Sequence, residues 1–406
     1  MTEWRHSRWG DLATLEYGRS LRGYQNAAGQ YPVFGTNGPI GHGPKPLCGH
    51  PGVIIGRKGA YRGVHYSDRP FWVIDTAFYL EPKADIDLKW AYYELLTHDI
   101  NAMDSGSAIP STSRAAFYAL PVRVPPLDEQ RRIAHTLGGL DDKIDLNRRM
   151  NHTLEAIARA IFKSWFVDFD PVRKKMVGGE VGLPPSLAAL FPGSLTESVI
   201  GESPVGWVTS CLGDVAAQIR ESVKPEDILP GTPYFGLEHL PKRSIALSDW
   251  RFADEVASNK SQFAVGDILF GKLRPYFHKV GPPPIAGVCS TDIVVVRPHS
   301  RELFAFTLGH MSSEAFVDSA SAHSSGTRMP RTNWKDMAQY PLVVPPASLL
   351  RAYDDVVRPL IGLIWSGATG SRLLARVRNA LIPELLAGSR GQLLEAPATN
   401  RQGEAC

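Results

Sequence analysis

Several groupings of residues in this sequence have types and spacing from which chemistry could be built, and each falls short of a catalytic site. Gly266-Asp-Ile-Leu-Phe-Gly271-Lys272 has the glycine and lysine spacing of a phosphate-binding loop, but Leu273 stands where a Ser or Thr must hold magnesium. The intervening Ile268, Leu269 and Phe270 read as a strand rather than a glycine-rich cradle. An adenine methyltransferase would need an Asp/Asn-Pro-Pro-aromatic tetrapeptide and a glycine-rich cofactor loop. The double prolines here sit instead in Val124-Pro-Pro-Leu, Val344-Pro-Pro-Ala and Gly281-Pro-Pro-Pro. His42, Cys48 and His50 lie close together, yet no fourth ligand follows at a metal-site spacing, so no metal is expected. No nucleophile, base and orienting group can be put together, and the chain reads as non-catalytic.

What remains is the chemistry of contact. Arg57, Lys58, Tyr61 and Arg62 cluster in a turn after a strand, and Lys272, Arg274 and Tyr276 occupy a matching turn farther on. Arg and Lys hold phosphates or read guanine edges, and aromatic rings pack on sugars or bases. A solvated surface turn has the same composition. A second pair of loops carries Ser105, Gly106, Ser107, Ser111, Thr112, Ser113 and Arg114, then Ser325, Gly326, Thr327, Arg328, Arg331, Thr332 and Asn333. Small hydroxyl residues with Arg suit close backbone approach to a groove; the Pro and Gly common to both loops shape them, and the differing residues set sequence choice. The basic groups Arg131-Arg132, Arg148-Arg149 and Arg173-Lys174-Lys175 could serve a DNA backbone, a partner or neither.

These loops sit in a chain that repeats itself. Ser105-Gly106, Pro110, Thr112, Pro121 and Val124-Pro125-Pro126 recur as Ser325-Gly326, Pro330, Thr332, Pro341 and Val344-Pro345-Pro346, at a constant offset of 220. Upstream, Gly10-Asp11 is echoed by Gly213-Asp214, Pro32-Val33-Phe34-Gly35 by Pro233-Tyr234-Phe235-Gly236, and Ile55-Gly56-Arg57-Lys58 by Phe270-Gly271-Lys272-Leu273. Each copy reads as short strands broken by Gly and Pro: Gly52–Ile55, Phe71–Leu80 and Leu120–Val124, then Asp267–Phe270, Ile293–Val296 and Pro341–Val344. One helix is expected in each, over Lys89–His98 and Arg301–Phe316, which makes the copies mixed α and β.

After each Val-Pro-Pro the period changes. Ile133, Leu137, Leu140, Ile144, Asn147, Asn151, Leu154, Ala158, Ile161 and Trp165 alternate steps of four and three, the spacing of a coiled-coil seam. The second copy places Tyr353, Val357, Leu360, Ile364, Leu374, Leu381 and Leu385 on the equivalent seam, with Gly367 and Ser371 opposite the two asparagines. Gly362, Gly367 and Gly370 each cost roughly 1 kcal/mol inside a helix, so a break is expected near Ser366–Ser371. Two seams of equal length most simply pack on each other as a spacer, each about 40 residues and roughly 60 Å long. The same periodicity also suits helices packed separately on their own domains.

The boundaries that follow are residues 1–125 and 207–346 for the two copies, 126–167 and 347–388 for the helices, 168–206 for a loosely packed linker and 389–406 for a disordered tail. At 406 residues the chain is long enough for several cores, and 43% hydrophobic with 21% charged residues excludes wholesale disorder. No apolar run reaches the length of a membrane span and the N-terminus is polar, so a cytoplasmic protein with no membrane partner is expected. Four scattered cysteines argue against a disulfide framework. A net charge of only +3 leaves a faint nucleic-acid footprint over the whole chain.

Val124-Pro-Pro-Leu-Asp-Glu-Gln-Arg-Arg-Ile133, the run Leu154–Phe169 and Asp170-Pro-Val-Arg173 resemble the specificity subunits of type I restriction-modification systems, as do Gly206-Trp207 to Asp214 and Arg331-Thr-Asn-Trp334 to Pro346. The resemblance spans nearly the whole chain. It implies an α+β protein of two mixed α/β target-recognition domains joined by two long antiparallel coiled-coil helices with pseudo-two-fold symmetry. It further implies that each domain reads half of an asymmetric split target in double-stranded DNA, while the helices fix the spacing and bind two methyltransferase subunits. Those partners, and motor-nuclease subunits when present, would use S-adenosylmethionine, ATP and Mg; this chain would bind no cofactor. From the residues alone, a stand-alone two-site DNA-binding regulator or architectural protein is the other reading.

Overall fold

In the computed structural model, residues 4–24, 29–104, 106, 109–326 and 328–387 are described. The chain divides into two compact units, one of residues 1–142 with 374–406 and one of residues 143–373. The tail expected to be disordered, residues 389–406, lies outside the described residues.

The first unit holds the first copy. Its main sheet has four strands in the spatial order Ala13–Tyr17, Ala77–Pro82, Gly52–Gly56 and Val64–Ser67, all antiparallel. Gly52–Gly56 is buried along its length because both faces are covered, which is why it is written Gly-Val-Ile-Ile-Gly rather than in alternation. Val53 and Ile55 face a core of Trp9, Phe78, Leu80, Trp90, Phe117, Ile133, Leu137 and Ile382. Ile54 faces the other way, onto Phe34, Cys48, Phe71 and Val73. The continuous strand expected over Phe71–Leu80 is two: Trp72–Val73 pairs in parallel with Tyr31–Gly35, and Ala77–Pro82 enters the main sheet. The turn between them, Ile74-Asp75-Thr76, closes with the Ala77 amide on the Ile74 carbonyl.

The second unit repeats this order. Ala216–Ile219, Ile293–Pro298, Ile268–Gly271 and Val280–Gly281 form the equivalent sheet. Ile268 and Phe270 face the large core with Trp165, Phe166, Phe306, Phe316 and Tyr353, whereas Leu269 faces Phe235, Phe263 and Val295. Both copies also pair their opening strand with the strand before the long helix, Arg5–Arg8 with Pro121–Val124 and Val208–Cys211 with Pro341–Val344. The echoed Gly-Asp pairs sit in four-residue helices after those opening strands, where Asp11 and Asp214 accept the Arg8 and Cys211 amides. The helix expected over Lys89–His98 is Leu88–Leu95. The one expected over Arg301–Phe316 is two, Phe304–Met311 and Glu314–Ala322, divided where Ser313 caps the latter.

The two long helices run Leu127–Phe166 and Ala347–Leu386. The expected break near Ser366–Ser371 is absent. Gly367 is there because a Cβ would come 2.5 Å from Asn151 Oδ1, a contact that only the facing helix creates. Within the second unit Asn147 donates to Ser371 Oγ at 3.3 Å and Asn151 to the Ile364 carbonyl at 3.2 Å, so the helices run antiparallel there. Ile133, Leu137, Ile144 and Ile364 are buried as the heptad reading expects. Leu140, Leu154, Ile161, Leu360, Leu374 and Leu381 are only half-buried. In the second helix Ile361, Ala368 and Ile382 are buried beside the expected positions, because the helix also packs on domain cores, Ile361 on that of the second unit and Ile382 on that of the first, and the apolar stripe must be wider than a two-helix seam.

The segment 168–206 is not a loose linker. Phe169, Val172 and Phe191 are buried in the second unit's core, and Trp165 meets Phe191 edge to face at 5.2 Å. No helix among the described residues is long and apolar enough to cross a membrane.

Candidate nucleic-acid interface

The basic turn and the Ser-Gly loop, read separately in the sequence, are one surface in each copy. In the first, the Arg57 amide bonds the Thr76 carbonyl at 2.9 Å, Gly59 that of Pro110 at 3.0 Å, and Thr112 that of Arg57 at 2.8 Å. In the second, Lys272 bonds Asp292 at 2.9 Å, Arg274 bonds Pro330 at 2.7 Å, and Thr332 bonds Lys272 at 3.1 Å. The repeated Pro and Thr therefore tie the turn to the loop by the same three backbone bonds. Where the first copy uses Gly59 at φ +122°, the second uses Arg274 at φ +52°, a left-handed conformation that costs a non-glycine residue roughly 1–2 kcal/mol.

On this common frame the side chains differ. In the first copy the Arg57 guanidinium lies 4.7 Å from the Tyr17 ring centre and donates to the Asp75 carbonyl at 3.0 Å. Arg114 lies 5.1 Å from the same ring and donates to Tyr118 Oη at 2.9 and 3.2 Å, bonds that hold its pKa above the usual guanidinium value. Two cations are thus fixed in orientation around one exposed tyrosine, the preorganisation that phosphate or base-edge contact rewards. Tyr61 is 79% exposed and Lys58 is exposed beside it; Ser111 is half-buried.

Two expected contacts of this copy prove internal. Arg62 is 4% exposed, its amide bonded to Asn101 Oδ1 and its guanidinium to the Asn101 carbonyl, so it pins the turn from beneath. Thr112 is 3% exposed and its hydroxyl donates to the Gly56 carbonyl at 2.8 Å. Ser107 lies outside the described residues, as does Thr327 of the second copy.

In the second copy Tyr276 is half-exposed with its ring 4.9 Å from Phe277, and Lys242 Nζ sits 4.2 Å from the centre of Phe277. Lys272 is half-buried, Arg328 is exposed, and Arg274 donates to the Arg328 carbonyl at 3.3 Å. Arg331 is ion-paired with Asp292 at 3.2 Å, which directs it along the loop. Asn333 is the cap of the helix Trp334–Ala338: its Oδ1 accepts the Asp336 amide and its Nδ2 donates to the Asp336 carboxylate, leaving it a structural residue. Tyr17, Tyr118 and Lys242 were not anticipated. Tyr17 was findable as the aromatic end of an alternating strand and Tyr118 as the i+4 neighbour of Arg114, whereas Lys242 enters through a contact with Phe277 distant in sequence.

Two domains of one topology, each ending its central strand in a basic-aromatic turn locked to a loop, define a protein built to present two different polar surfaces on one frame. Residues 1–156 match the family model described as the type I restriction modification DNA specificity domain. The chain is similar to the type I restriction enzyme MjaIX specificity subunit of Methanocaldococcus jannaschii, at 22% identity over 76% of this chain and 70% of that one. It is similar also to the EcoDI specificity subunit of Escherichia coli, at 24% identity over 96% of this chain and 89% of that one. The fold is that of a type I restriction-modification S subunit from M. genitalium, with a TM-score of 0.59, 18% identity, and coverage of 94% of this chain and 96% of that one. The resemblance read from the sequence agrees with these matches: the chain is similar to type I specificity subunits.

Proposed function

We propose that this chain is the DNA sequence-specificity component of a type I modification and restriction complex, each copy reading one half of a split, asymmetric target. The observation that carries this reading is the shared three-bond lock with different side chains on it: Tyr17, Arg57 and Arg114 in the first copy, Lys272, Tyr276 and Arg328 in the second. A common frame fits two readers of the same backbone geometry; different side chains fit two different half-sites. The long helices, forty residues each, set the gap between half-sites and offer the surface for two methyltransferase subunits. Adenine methylation, and cleavage when motor-nuclease subunits join, belong to those partners, which supply S-adenosylmethionine, ATP and Mg. This chain supplies the address.

Co-expression with a type I methyltransferase subunit, mass measurement of the purified complex and sequencing of methylated adenines test the reading. Two methyltransferase chains per copy of this protein and methylation at a split asymmetric motif are expected. Selective DNA binding by this chain alone, with no association, would overturn it.

A further inference from the structure

The first copy carries a cluster that its reading surface does not use. Cys48, buried at its bridge to Phe71, holds its Sγ 3.5 Å from His50 Nε2, and that nitrogen lies 3.5 Å from Glu81 Oε2. All three donor atoms fall within 4.8 Å of one another. A tetrahedral zinc ion with bonds of about 2.3 Å to sulfur and about 2.0–2.1 Å to nitrogen and oxygen sets its ligands roughly 3.3–3.6 Å apart, the separation found on both sides of His50 Nε2. Sequence spacing could not show this, because Glu81 arrives from the strand Ala77–Pro82 and only the fold brings it beside Cys48 and His50.

The orientation of the imidazole is a second, independent observation. His50 Nδ1 lies 2.7 Å from the Pro51 carbonyl oxygen, which can only accept, so Nδ1 carries the proton. In the neutral ring Nε2 is then the acceptor, 3.5 Å from the carboxylate oxygen; Cys48 Sγ stands beside the ring, 3.5 Å from Nε2 and 3.7 Å from Nδ1, so an ion at Nε2 would draw the imidazole round toward the thiol. Cys48 Sγ donates to the His50 carbonyl oxygen at 3.5 Å, a thiol proton that a metal ion would displace, and a backbone carbonyl on the far nitrogen is how metal-bound histidines are held.

The second copy meets the same place differently. By strand pairing, Glu81 corresponds to Arg297 and its neighbour Gly52 to Asp267. Arg297 grips the buried Asp267 through two bonds of 2.7 and 2.9 Å. One copy closes this corner of the sheet with an ion pair.

We propose that Cys48, His50 and Glu81 form a three-ligand site for a divalent transition metal of the zinc class, its fourth position open to water, that fastens residues 48–51 to the strand Ala77–Pro82. His50 and Glu81 are both half-exposed, which gives the ion its route and its water. The site is structural and lies apart from the basic turn.

The test uses the full chain, stripped with a chelator and titrated with Zn²⁺ by calorimetry and with Co²⁺ by absorbance. One ion per chain is expected, with a thiolate-to-cobalt charge-transfer band. Cys48→Ser, nearly isosteric, should abolish that band. Glu81→Gln should weaken zinc binding at least tenfold, and wild-type chain should melt higher with zinc than without. The absence of stoichiometric binding by wild-type chain overturns the proposal, as does binding that survives Cys48→Ser unchanged. A loss of melting temperature in Glu81→Gln that is identical with and without zinc also overturns it, and assigns the cluster to a plain His50–Glu81 ion pair.

Discussion

The two copies share a sheet order and a loop lock but solve buried polarity in opposite ways. At the seventh residue of the eight-residue helix behind each sheet, the first copy has Glu94 and the second His310. Glu94 is satisfied twice, accepting from Trp9 Nε1 at 2.8 Å and sitting 2.9 Å from His98 Nε2. His310 is enclosed by the rings of Phe162, Phe306 and Tyr340, and its Nε2 has no hydrogen-bond partner among the described residues. A duplicated domain keeps what its backbone geometry requires, and lets buried polar groups drift so long as each is paired or kept neutral.

Among single substitutions the largest expected effect lies at the sheet corner. Asp267 is 1% exposed, so Asp267→Ala removes a buried, doubly bonded carboxylate and should cost the second unit roughly 2–4 kcal/mol. Glu81→Ala in metal-free chain removes only a half-exposed carboxylate and should cost well under that. Denaturant melts of both variants measure the contrast, and equal losses would break it.

His98 in the first unit and His310 in the second should contribute pH dependences of opposite sign. Burial pushes His310 down to about 3 from its usual value near 6.5, so the unfolded chain binds the proton more readily than the folded one. Stability of the second unit should therefore fall as pH drops below about 6.5, by up to about 1.4 kcal/mol per pH unit, until near pH 3. The hydrogen bond to Glu94 raises His98, so its contribution is fully present below about 6.5 and fades as pH rises through the raised value. Hydrogen exchange on full chain, read at Gly52–Gly56 and at Ile268–Gly271, separates the two units. In His310→Leu the acid slope of the second should become shallower, leaving the part due to His239 and His278, which burial also lowers.

On the reading surface, Arg57→Ala should cost about 1–3 kcal/mol of DNA affinity and relax choice in one half-site only, while Lys272→Ala acts on the other. Methylated-base sequencing of complexes carrying each variant would show it; a change in both halves from one substitution would end the assignment of one copy to one half. A smaller effect tests the lock. Thr112→Val leaves the Gly56 carbonyl short of a donor and should cost about 1–2 kcal/mol. Thr332 has the same backbone bond, but its hydroxyl is buried with no partner among the described residues, so Thr332→Val should be within about 0.5 kcal/mol of neutral or stabilising.

Much of this architecture was legible as sequence because repetition and period are one-dimensional. The offset of 220 located both loops, and steps of four and three located helices that run Leu127–Phe166 and Ala347–Leu386. What stayed hidden depends on a neighbour distant in the chain. Gly367 reads as a helix breaker until Asn151 faces it, and Arg62 reads as a surface cation until Asn101 covers it. Asn333 reads as a base-reading amide until the helix it caps is seen, and Glu81 is unremarkable in sequence until the sheet sets it beside Cys48. The segment 168–206 misled by composition, since its Gly and Pro obscured three aromatic and aliphatic anchors, Phe169, Val172 and Phe191.

The asparagine layer has a consequence for how such a chain can change. Asn147 and Asn151 fit only against Ser371 and Gly367, so the two antiparallel helices are keyed, and sliding one by a turn would set an amide against a leucine or isoleucine methyl. Residues gained in one helix alone, on the side of this layer that must stay in step, would carry the key past its slot. Length must therefore be inherited in matched pairs of turns, one from each half of the chain, which makes the two halves free to diverge in what they touch but not in the length of their long helices.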